Sequence, residues 1–168
     1  MKQYNNRTIN RHAFTLIELL LFMGLFTIIL GVLTNLFSVI IDTQSEVQST
    51  SAVENDSKFI TTRMMYDIQR ASTISVPASL GAQTSTLSLL IDGNIYQYSV
   101  NNGNLVVTTG TQSDMLNSSL TQISTISFQR LGNVGGKHAI RLHFIIEDRN
   151  ETAAGSERKE IETLIGLR

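Results

Sequence analysis

Residues 14–41, FTLIELLLFMGLFTIILGVLTNLFSVII, form the longest apolar run in the chain: 20 of the 28 are large apolar residues, and Glu18 is the only charged one. A run of 18 or more residues with almost no charge predicts a membrane-spanning helix. At about 1.5 Å per residue it reaches about 42 Å, enough to cross a hydrocarbon core of about 30 Å with a turn to spare. The next stretch, DTQSEVQSTSAVENDS (42–57), is polar, and its Ser, Thr and Asn are mediocre helix formers. Beyond it Ile60, Met64, Ile68 and Ala71 recur at helical spacing. Extended backwards, this stripe meets Val53, and Arg63, Asp67 and Arg70 are expected to turn away from it. The pattern predicts one long helix over about 14–72, weakened between Gln48 and Asp56.

After Pro77 the period shortens. Residues 86–91, 95–100 and 105–109 are short runs rich in Leu, Ile, Val, Tyr and Thr, separated by Asp92-Gly93-Asn94 and Asn101-Asn102-Gly103-Asn104. Both separators are strong turn signals, so an antiparallel meander is expected. TQISTISFQRL (121–131) and AIRLHFIIE (139–147) read as two longer strands joined across 132–137, and a last strand is expected over 160–167. The expected fold class is α+β: an antiparallel sheet of about five to six strands, with one apolar face covered by the helical stripe of 58–72.

The N-terminal segment MKQYNNRTINRHA (1–13) carries Lys2, Arg7 and Arg11 and no acid. By the positive-inside rule this end stays in the cytoplasm and the chain beyond Ile41 is exported. A cleaved secretory signal would have a shorter apolar core and a small-residue cleavage site, which DTQSEVQS does not offer; the plain alternative is an uncleaved signal anchor. A carboxylate within an apolar span costs about 2.5 to 3.5 kcal/mol at the helix centre and marks a functional position with a partner, so Glu18 is the first candidate site residue.

Ala13-Phe14-Thr15-Leu16-Ile17-Glu18 resembles the processing site of type IV pilins and of the pseudopilins of type II secretion and DNA-uptake systems. The resemblance is strong over residues 7–41 and general elsewhere. It implies a leader over 1–13, a transmembrane and assembly helix over 14–41, an exported half of the helix over 42–72 and a sheet domain over 73–168. It further implies that a prepilin peptidase cuts between Ala13 and Phe14, and that the new Phe14 amine is methylated. Two features depart from the family: Ala13 stands where Gly is usual, and the Pro often found midway along such helices is absent. Gly24 and Gly31 suit either close helix packing or the ordinary tolerance of membrane helices for small residues.

The function implied is structural, not enzymatic: a minor pilin or pseudopilin that assembles through its apolar helix into a filament of a secretion, pilus or DNA-uptake machine. Its implied partners are the peptidase, other pilin or pseudopilin subunits and an inner-membrane assembly platform, and its implied location is the bacterial inner membrane, single-pass with the C-terminal domain exported. In the same view Glu18 pairs with the Phe14 amine of a neighbouring subunit. The alternative is a filament-tip adhesin or DNA-binding minor pilin, for which Arg130, Lys137, His138 and Arg141 form the one modest basic patch.

Composition narrows the remaining choices. Without residues 1–13, ten Lys and Arg face fourteen Asp and Glu, a net charge of −4 that gives no general attraction to nucleic acid. Cysteine is absent, which excludes disulfides, thiolate metal sites and thiol nucleophiles. His138 and His143 lack a third ligand at any recognisable spacing, and His143, between Leu142 and Phe144, is expected to face solvent. Asp148-Arg149-Asn150-Glu151 lacks the spaced ligands of a calcium loop and reads as a solvated loop. No glycine-flanked nucleophile elbow or phosphate-cradling glycine loop occurs, so no cofactor, metal or catalytic residue is expected.

Overall fold

The apolar run and the amphipathic stripe belong to one helix, α1, which continues without a break over Leu16–Arg70. A computed structural model describes residues 15–150 and 155–168 of the chain. Helix and strands divide into two compact units, Met1–Ile41 and Asp42–Arg168.

Among the described residues of the first unit α1 is the sole element. Every large apolar side chain over residues 16–41 is exposed, and this part of the helix is long and apolar enough to cross a membrane. Its hydroxyls are satisfied locally: Thr27 Oγ1 donates to the Met23 carbonyl at 2.8 Å, Thr34 Oγ1 to Leu30 at 2.9 Å and Ser38 Oγ to Thr34 at 3.2 Å. Bonding to the carbonyl one turn back leaves these side chains with no donor needing water, which an apolar surrounding requires.

The second unit holds the rest of α1 and nine strands: β1 (Thr73–Val76), β2 (Gln83–Thr84), β3 (Leu87–Ile91), β4 (Asn94–Asn101), β5 (Asn104–Thr109), β6 (Gln112–Met115), β7 (Thr121–Gly132), β8 (His138–Asp148) and β9 (Arg158–Gly166). Two antiparallel sheets stand where one was expected, in the orders β1-β3-β4-β5-β6 and β2-β7-β8-β9. The fold class is therefore α+β, with one long apolar N-terminal helix and two antiparallel sheets. The turns at Asp92-Gly93 and Asn102-Gly103 are two-residue hairpins with both residues at positive φ, matching their residue types. What the alternation did not give is the non-local pairing: β2 joins β7 across more than forty residues of chain, and the all-exposed β6 has no apolar face to betray it.

One core joins the helix and both sheets. Val53, Ile60, Met64 and Ile68 of α1 pack with Leu87, Leu89 and Ile91 of β3, Tyr98 of β4, Phe128 of β7 and Ile140, Leu142, Phe144 and Ile146 of β8. The sheet face is read at every second residue, and the three-residue step from Ile123 to Ile126 is a bulge in β7 against β8. The expected weak segment of α1 is instead firmly docked. Ser49, Val53 and Ser57 are buried, and the buried Ser49 hydroxyl donates to the carboxylate of Asp148. Tertiary packing overrides the mediocre helix propensity of Ser, Thr and Asn here.

Candidate functional site

The first turn of α1 carries the acid. Thr15 precedes the helix, and Glu18, its third residue, donates its backbone N–H to the Thr15 carbonyl at 3.1 Å and to Thr15 Oγ1 at 3.4 Å. A threonine three residues before a glutamate is the sequence signature of a capped helix start, and an acid in the first turn sits favourably against the positive end of the helix dipole. Glu18 is exposed between Ile17 and Leu19, which are themselves exposed. Ala13 and Phe14 lie outside the described residues. Beyond Glu18, Gly24, Thr27, Gly31, Thr34 and Ser38 alternate at steps of three and four, which puts small side chains along one face. A Cβ added at Gly24 or Gly31 would meet nothing within 4 Å in the chain itself.

The second half of α1 is pinned by polar bonds as well as by its apolar stripe. Asp67 does not turn away from the sheet as expected: it is fully buried, seven residues after Ile60 on the same face. Its carboxylate accepts from Arg63 Nε at 2.7 Å and from the Tyr98 hydroxyl, while Oδ1 has no hydrogen-bond partner and lies 3.7 Å from Arg70 Nη2. Burial first, and then the bond to Asp67, pushes the Tyr98 hydroxyl far above the usual tyrosine range, and the same carboxylate raises Arg63. Nearer the start of the unit, Asp56 Oδ2 accepts from Ser118 N at 2.8 Å, Ser118 Oγ at 2.7 Å and Thr121 Oγ1 at 2.6 Å. Glu54 holds Lys159 of β9 and, one helical turn on, Lys58 at 3.0 Å; the Lys159 bond first and the Lys58 bond second lower its pKa.

One sequence expectation at the end of β8 needs amending, and the one for His143 stands. Asp148 is not in a solvated loop: it ends β8 on the inward register of Ile140, Leu142, Phe144 and Ile146, and is buried against Ser49. Arg149 donates to Asn104 Oδ1 at 2.8 Å and to the Thr121 carbonyl at 3.1 Å, so it too is structural; Glu151 lies outside the described residues. His143 is on the outer face, half-buried, 2.8 Å from Glu160 Oε1. Extending the period-two pattern past the last apolar residue would have placed Asp148 inward, and extending the helical stripe by heptads would have placed Asp67 there.

The four basic residues are divided: Arg130, Lys137 and His138 line one cavity at the hairpin between β7 and β8, and Arg141 lies apart from it. Arg141 faces outward beside Gln129 and Glu162. Arg130 continues the inward register of Ile126 and Phe128, and its Nη1 donates to the carbonyls of Ile74, Pro77 and Ala78 at 3.1, 3.2 and 2.9 Å. Among the described residues no group of three or more His, Cys, Asp or Glu side chains is placed to hold a metal ion. No known protein family, curated protein or solved structure matches this chain.

Proposed function

We propose that this chain is a structural subunit of the minor pilin or pseudopilin type, cleaved before Phe14, methylated there, and assembled through residues 14–41 into a filament of a secretion, pilus or DNA-uptake machine. The observation that carries the reading is the contrast along α1. Its first half exposes apolar side chains on all sides around a single carboxylate, and its second half is buried on the sheets as part of their core. A helix apolar all round is stable in lipid or among other such helices, not in water. Hydroxyls bonded to their own backbone and the face of small residues from Gly24 to Ser38 suit close packing against a second helix. The partners in this reading are a prepilin peptidase, other subunits of the same kind and an inner-membrane assembly platform, with the second unit exported. A tip receptor for nucleic acid draws less support, because Arg130 and Arg141 face opposite sides of the sheet and are engaged within the unit.

The test is processing. Co-expressed with a prepilin peptidase, the full chain is expected to lose the mass of residues 1–13, and Ala13→Gly is expected to be cut at the same bond and faster. A chain that stays full-length, or is cut after Ile41, overturns the reading.

A further inference from the structure

The hairpin between β7 and β8 and the start of β1 enclose an open cavity of about 360 Å³ lined by Arg130, Lys137, His138 and Arg168 from β7, the hairpin, β8 and the residues after β9. No Asp or Glu side chain lines it. Among the described residues, none of Arg130, Lys137 and Arg168 forms an ion pair, in a chain whose net charge is negative. Cations gathered with no Asp or Glu side chain among them repel one another, and an anion seated there relieves that repulsion.

Two of the groups are held in fixed orientation. The three carbonyls on Nη1 and the bond from Nε to His138 Nδ1 at 2.9 Å lock the Arg130 guanidinium, and Nη2 makes no hydrogen bond among the described residues. Because His138 Nδ1 accepts that bond, the neutral ring carries its proton on Nε2 and is a donor there. The hairpin itself depends on Gly132, which has φ +145° and where an added Cβ would stand 2.8 Å from the Lys137 carbonyl. Thr73, on the rim, adds a hydroxyl.

We propose that this cavity binds a small phosphate-bearing ligand through Lys137, Arg168, Arg130 and His138. A guanidinium held in place, an imidazole N–H and a mobile ammonium together match several oxygens of one compact anion, as phosphate requires and a single carboxylate does not. The cavity lies wholly in the sheet unit, so its ligand and the assembly of the apolar helix are separate questions.

The experiment titrates inorganic phosphate into the full chain in a nonionic detergent at low ionic strength, following the amide resonances of Gly136, Lys137 and His138. Lys137 and Arg168 are exposed, so the doubly substituted chain, Lys137→Gln with Arg168→Gln, is expected to fold, whereas Arg130→Gln would remove bonds that hold the unit together. Saturable shifts are expected in the native chain, weakened about tenfold in the double variant and by added salt. Acetate at matched ionic strength is expected to give no saturation. The proposal is overturned by an unsaturated response at millimolar phosphate or by an equal response in the double variant. It is also overturned if a single-stranded oligonucleotide binds far more tightly than phosphate, with shifts spread over the outer sheet face, since the cations would then belong to a nucleic-acid surface.

Discussion

Tyr98 of β4 gives its phenolic hydrogen to Asp67 of α1, so the one fully buried carboxylate of the described chain is held jointly by a strand and by the helix's own Arg63. An unpaired buried acceptor costs about 1 to 3 kcal/mol, and Tyr98→Phe removes a partner without changing the shape of the ring. The variant is expected to lose about that much stability in urea unfolding, with the slope of the transition unchanged. A loss under about 0.5 kcal/mol, the scatter of surface substitutions, would mean that the bond only replaces one with water.

The same hydroxyl sets an alkaline limit. Its folded pKa lies well above the ordinary 10.0, raised by burial and then by Asp67. A raised pKa contributes stability that is fully present below the unfolded value and is lost as pH rises beyond it. Unfolding free energy is therefore expected to fall above about pH 10, and Tyr98→Phe is expected to flatten that limb. An unchanged alkaline slope in the variant would trace the loss to other groups.

At the acid end the sign reverses. Glu54, tied to Lys159 and Lys58, has its pKa lowered from 4.5, so its contribution is present above that value and is lost as pH falls through the lower, folded value. Glu54→Gln is expected to reduce the steepness of acid unfolding below about pH 4.5 and to leave stability at pH 8 little changed, since the group is exposed and solvent screens the pair. Equal acid profiles would trace that limb to groups other than Glu54.

These ties rest on residues that the apolar pattern passes over, and this sets what was legible in the sequence. Hydrophobic period alone located α1, the β3 to β5 meander and the long β7, β8 and β9, because each carries its own alternation or stripe. It misplaced Asp67 and Asp148, since a polar residue at an inward position looks like a break in the pattern until its partner is known. The strands β2 and β6, one in each sheet, were hidden for a related reason: β2 is two residues long and β6 is exposed throughout, so neither has a local signal, and only their pairing defines them. Glu18 was conspicuous because a lone charge in an apolar run needs no partner to be noticed.

Cutting the helix tests how far it serves as cover for the sheets. Residues 46–168 keep Ser49, Val53, Glu54, Asp56 and the stripe through Ile68, and are expected to form a soluble α+β monomer. Residues 73–168 expose the faces built from Leu89, Phe128 and Phe144, and are expected to aggregate. Comparable circular dichroism and size-exclusion behaviour of the two fragments would show that the sheets hold themselves together without α1.

In the proposed reading Glu18 carries the assembly mechanism, and its variants separate helix capping from subunit pairing. The cap at the helix start uses the Glu18 backbone N–H and the Thr15 hydroxyl, so it survives any side chain at position 18. The carboxylate itself can then act in two ways: against the helix dipole of its own chain, worth about 0.3 to 1 kcal/mol, or with the amine that cleavage creates at Phe14 of a neighbouring subunit. In the second case an unpaired charge in lipid costs about 2.5 kcal/mol or more, while the pair is tolerated. An uncleaved chain has no amine to offer, so pairing would admit only processed subunits. Glu18→Gln and Glu18→Val are both expected to be inserted and cleaved and to keep the fold of the second unit, yet to lose about tenfold or more of the partner subunits that copurify with the native chain. If Glu18→Val recovers those partners at the native level, the carboxylate serves its own helix alone and the pairing mechanism is wrong.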